Sequence, residues 1–215
     1  MIESTIPPIV RLALTLLLAY LVAGCAGAPE LQLTPGGQSA PVDVDLTGYW
    51  RLRDADTDPL RNFSQEGFIG PGSTERVVRL TREIRRNDKQ APKSGGRRDR
   101  RRAALAQVFL ETGEDVKITQ TVDGLFISYD RSVVEEYIFG EHRVATVGPV
   151  AAERASGWQD ANYIIETLDE DGVLLRERWY LDDPGSQLRR DVEFLEKDEV
   201  VYSVTQVFDR AGGPD

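Results

Sequence analysis

Cysteine, histidine and methionine each occur once in the 215 residues. The lone cysteine, Cys25, excludes any disulfide within the chain. With His142 as the single histidine, no Cys/His zinc set can be assembled, so no metal site and no cofactor is expected. A Gly-x-Ser-x-Gly elbow, a phosphate-binding glycine loop and a His-Glu-x-x-His motif are all missing. No catalytic residue is therefore nominated, and an enzyme is the least favoured class. The carboxylates Glu135, Glu136, Glu166, Glu177, Asp191 and Glu193 fall on predicted strands. Spacing does not show that any two converge as a glycoside-cleaving pair would need. With Arg176, Arg178, Arg189 and Arg190 nearby, they read as solvated strand faces with cross-strand partners. A long apolar run is also lacking. The longest, from Leu12 to Ala23, is about a dozen residues where a bilayer-spanning helix needs roughly 20.

That run follows Arg11 and closes on Ala23 and Gly24, the layout of a secretory signal. Its ending, Val22-Ala23-Gly24-Cys25, resembles the lipobox of bacterial lipoproteins. The resemblance implies cleavage before Cys25, a diacylglycerol on its thiol and an acylated new amino terminus. Several acyl chains, at about 0.8 kcal/mol per buried CH₂, make a durable membrane anchor. Ala26 stands where, under the family's enterobacterial sorting rule, Asp would retain the protein at the inner membrane. The resemblance thus implies the periplasmic face of the outer membrane. Residues 1–24 are expected as the leader and 25–45 as a flexible tether, since Pro35, Gly36, Gly37 and Ser39 build no packed element. A domain over 46–211 follows.

Charge is unevenly placed. The chain carries -10 overall. Twelve Arg or Lys between residues 76 and 102 face only Glu83, Asp88 and Asp99, a local +9 that leaves -19 elsewhere. Two helices are predicted in this stretch, as a basic insert at about 73–112. In the first, Val77, Leu80 and Ile84 share a face. In the second, from about Arg98 to Thr112, Leu105, Val108, Phe109 and Thr112 do, with Gly113 as a left-handed cap. The cluster Arg97, Arg98, Arg100, Arg101 and Arg102 is a candidate contact for an anionic lipid or an envelope protein. Nucleic acid is not an expected partner at a periplasmic address.

From Asp115 the apolar period becomes 2, and Asp-Gly, Pro-Gly and Lys-Asp turn signals recur about every ten residues. This predicts an all-β, antiparallel up-and-down meander of eight or nine strands plus one through Trp50. Such a meander curls into a barrel or a sandwich to cover its edges. Gly48-Tyr49-Trp50 resembles the first strand of lipocalins, and that likeness implies that an arginine of the last strand, here Arg210, packs across Trp50. It also implies a module for an apolar or lipid-like small molecule, with Trp158, Trp179 and Tyr202 as candidate ligand-binding residues among the strand aromatics. The alternative is an envelope interaction protein with a filled core.

Overall fold

The computed structural model describes residues 32–34, 36–60, 105–147, 150–182 and 185–213. The leader, Cys25, the first predicted helix and the five arginines from Arg97 to Arg102 lie outside the described residues.

Among the described residues, ten strands form one antiparallel sheet. In chain order they are β1 (Gly48–Leu52), β2 (Asp115–Gln120), β3 (Gly124–Tyr129), β4 (Val133–Ile138), β5 (Glu141–Val147), β6 (Val150–Gln159), β7 (Asn162–Leu168), β8 (Val173–Leu181), β9 (Gln187–Glu196) and β10 (Glu199–Ala211). Every strand from β2 onward neighbours its successor except across β4 and β5. β1 lies between β2 and β10, giving the order β4-β3-β2-β1-β10-β9-β8-β7-β6-β5. The turns follow their chemistry. Lys197 and Asp198 both take positive φ, as a two-residue hairpin turn requires, and Gly140, Gly172 and Gly185 take it where a side chain would be strained. Residues 150–159, which form β6, carry no clear apolar alternation in the sequence.

The sheet's two edges do not pair through the backbone, yet side chains cross the seam. Ser156 Oγ donates to Ile138 O at 3.0 Å, Arg143 Nη2 to Glu136 O at 3.2 Å, and Arg154 Nη1 to Glu135 Oε2 at 3.3 Å. The sheet therefore curls on itself without closing its ladder.

Alternation puts one face of each strand inside. The inward residues fall into two apolar clusters. One holds Trp50, Ile118, Ile127, Trp158, Tyr163, Trp179, Leu188 and Phe208. The other holds Ala152, Val173, Leu175, Val192 and Phe194, with Leu60, Leu105 and Phe109 packed on it. Each large side chain so buried stabilises the fold by about 1.5–3 kcal/mol relative to leaving it in water.

Of the second predicted helix, residues 105–109 are helical, and Leu105 and Phe109 are buried as their spacing implied. The helix stops before Thr112, and Gly113 is not a left-handed cap. Asp130 Oδ1 accepts from the backbone N–H of Glu114 and Asp115, both at 2.9 Å, drawing the chain into β2 instead.

Part of the expected tether is held against the sheet. Gly37 pairs with Trp158 of β6 through N–H···O contacts of 2.6 and 3.2 Å, and Thr34 N donates to Glu166 Oε2 at 2.9 Å. Gln120 brackets the next stretch, receiving from Leu46 N at 3.0 Å and donating to Val44 O at 2.9 Å. The crossing depends on missing side chains: a Cβ on Gly36 would sit 2.3 Å from the carbonyl carbon of Gly157. Glycine is what lets two backbones touch there.

Candidate ligand-binding interior

Between the two apolar clusters runs a polar belt, one residue deep on each contributing strand. β8 supplies Glu177 between Leu175 and Trp179, and β9 supplies Arg190 between Leu188 and Val192. β10 adds Gln206 between Val204 and Phe208. β6 and β7 add Arg154 and Thr167, which face each other in register.

Arg190 anchors the belt. Its side chain is 1% exposed and that of Glu177 2%, and Glu177 Oε2 accepts from Nε at 3.0 Å and Nη2 at 2.6 Å. Arg190 Nη1 donates to Gln206 Oε1 at 3.2 Å, and Gln206 Nε2 donates to Asp58 Oδ2 at 2.8 Å. The guanidinium also lies 4.8 Å from the Trp179 ring centroid and 5.6 Å from that of Tyr129. Burial opposes its charge, but Glu177 more than offsets this, and its pKa rises above the ordinary arginine value. Arg154 repeats the arrangement near the seam. It donates to Thr167 Oγ1 at 3.1 Å, to Glu135 and, at 3.4 Å, to the Phe109 carbonyl at the end of the helical turn, where a cation is favoured. It sits over the rings of Phe109 and Tyr137, each at 5.6 Å.

The reading of strand carboxylates as solvated faces is corrected here. Glu177 and Glu166 are buried, and so is Arg190. Glu166 is held by Arg176 at 2.8 Å and Asp191 by Arg178. A signal for the inner pair was present in the sequence. Glu177 is in phase with Leu175 and Trp179, and Arg190 with Leu188 and Val192, so both belong to the inward face.

Of the nominated ligand residues, Trp158 and Trp179 come together and Tyr202 does not join them. Trp158 lies 5.3 Å from Tyr163 ring to ring, and Tyr163 is directly opposite Trp179 in register. Trp179 stacks on Phe208 at 6.0 Å. Tyr202 is half-buried beside Phe194, also at 6.0 Å, beyond the belt in the second cluster. Among the described residues, no acceptor receives a hydrogen bond from Trp158 Nε1, Trp179 Nε1 or the Tyr129 hydroxyl, though all three are buried. Tyr163 Oη meets none of good geometry either, although Ser156 is beside it. Burial pushes the phenols of Tyr129, Tyr137 and Tyr163 well above the ordinary tyrosine value. Arg210 lies across Trp50 at 4.3 Å, as the first-strand likeness implied. His142 is exposed and faces Glu153 at 3.3 Å.

A concavity of about 310 Å³ opens on the β1–β2–β3 side and is lined by Tyr49, Arg51, Lys117, Ser128 and Arg131.

No protein-family model and no curated protein sequence matches the chain. Among solved structures it is similar to apo lipid binding protein 8 of Caenorhabditis elegans, with 10% identity over 78% of this chain and 99% of that one, at a TM-score of 0.44. Human cRBP IV overlaps it with 15% identity over 78% and 99%, at 0.42. A luciferase domain from the dinoflagellate Lingulodinium polyedrum does so with 10% identity, covering 95% of this chain but 63% of that one, also at 0.42. These are loose overlaps of β-rich backbones and identify no guest for this chain.

Proposed function

We propose that the curled sheet is a binding module that holds an apolar or lipid-like small molecule in its interior. The observation that carries this reading is the set of buried donors that meet no acceptor among the described residues, Trp158 Nε1, Trp179 Nε1 and Tyr129 Oη. A buried donor left unpaired costs about 1–3 kcal/mol, and three on one aromatic inner face fit a site that a guest completes. The anchor at Cys25 is part of the same proposal and rests on Val22-Ala23-Gly24-Cys25. It puts the module at the periplasmic face of the outer membrane. The alternative, an interaction protein that grips an envelope partner or anionic lipid, rests on the +9 segment.

Delipidated full chain titrated with a neutral solvatochromic dye tests the proposal. Saturable one-to-one binding with quenching of tryptophan emission is expected, and Trp179→Phe should weaken it. Absence of saturable uptake sinks the carrier reading.

A further inference from the structure

We infer that the guest is uncharged and presents a hydrogen-bond acceptor, as an ester, ketone, ether or alcohol does, and that a free carboxylate is rejected. This rests on the carrier reading above and names the chemistry of its ligand.

The inference comes from the charge balance of the belt. Among the described residues, two guanidinium groups are buried on the inner face, and each already has a carboxylate from the chain itself. Arg190 holds Glu177 through two nitrogens, and Arg154 holds Glu135. A third carboxylate, Asp58, is buried and reached through Gln206. The faces of Arg190 are occupied as well, by the Trp179 and Tyr129 rings. Among the described residues, no unpaired inward cation is left to meet an incoming anion. A carboxylate guest would add a fourth negative group where desolvation makes like charges expensive. Neutral acceptors face the opposite situation. Tyr129 Oη and Trp179 Nε1 belong to the two rings that flank Arg190, one from β3 and one from β8, and both are donors that meet no acceptor among the described residues. Trp158 Nε1 offers a third point in the adjoining apolar cluster. A tryptophan N–H can only donate, and a phenol whose ionisation is suppressed by burial donates also. The polar atom these groups select for is a lone pair without a full charge. The aromatic walls around them select for hydrocarbon.

The test compares methyl laurate with laurate, two probes of one chain length, against the delipidated full chain at neutral pH by isothermal titration. The ester is expected to bind at least about 30-fold tighter, equivalent to roughly 2 kcal/mol. Laurate binding as tightly as the ester would overturn the charge argument while leaving the carrier reading in place. If neither probe binds, the carrier reading itself falls and takes this inference with it. Glu177→Gln supplies an independent check, since it frees Arg190 without changing the shape of the site. The laurate-to-ester affinity ratio should rise in that variant, and an unchanged ratio would count against the assignment.

Discussion

Removing one half of the Glu177–Arg190 pair should be far more damaging than removing both. In the variant Glu177→Leu the Arg190 guanidinium, 1% exposed, loses two of its hydrogen bonds and its counter-charge, and keeps Gln206 Oε1 at 3.2 Å. Breaking one side of a buried ion pair costs about 3–5 kcal/mol, because the surviving charge is left uncompensated. The remaining bond to Gln206 argues for the lower end, about 3 kcal/mol. Against a total stability of about 5–15 kcal/mol for a single domain this is severe. With a urea m-value of about 2 kcal/mol/M, the unfolding midpoint should fall by about 1.5 M. The double variant Glu177→Leu/Arg190→Met replaces the pair with apolar side chains, and such swaps are often neutral or stabilising. Its midpoint should return close to that of the parent. Urea unfolding followed by tryptophan emission and far-ultraviolet circular dichroism measures both. If the double variant is as unstable as the single one, uncompensated charge is not what the belt guards against, and the reasoning fails.

Three further outcomes are expected. Gly157→Ala should destabilise by about 1–3 kcal/mol through overpacking, since its Cβ would lie 2.7 Å from the Gly36 backbone. Gly212→Ala, with open space around it, should be silent, and thermal melts followed by circular dichroism measure both variants. The buried phenols predict alkaline unfolding. Their folded pKa values exceed the ordinary value near 10, so the native state holds protons that the unfolded chain releases. Their stabilising share is intact below pH 10 and is lost as pH climbs above it. Phenolate absorbance from Tyr129, Tyr137 and Tyr163 should therefore appear together with loss of circular dichroism, and reversible titration near pH 10 in a folded protein would contradict their burial. Cys25→Ser should abolish acylation and release the protein from the membrane fraction; retention of both would remove the anchor from the account.

The hairpins were legible because their turns carry backbone chemistry. Lys197-Asp198 and Asp123-Gly124 separate strands where the alternation is strong, and Trp50 with Arg210 could be placed on the first and last strands, where they are cross-strand partners. β6 was hidden because its inward positions are Ala152, Arg154, Ser156 and Trp158, so small and polar residues blur the period. The inner ion pair was misread for a related reason. A charged residue in apolar phase looks like a solvated one unless its phase is given more weight than its polarity, and Glu177 and Arg190 are both in phase. The anchoring of Gly36, Gly37, Val44 and Leu46 is written in neighbours distant along the chain, Gly157, Trp158 and Gln120, and composition alone makes that stretch look like a spacer. Tyr202 shares a face with Trp179, but the belt divides that face, and the division became visible once the strands were in register.

Native mass spectrometry of the protein purified from its native cells, with released small molecules identified, tests the central claim most directly. The account predicts one uncharged, acceptor-bearing apolar molecule per chain. A protein that emerges empty and takes up neither methyl laurate nor laurate afterwards would contradict it.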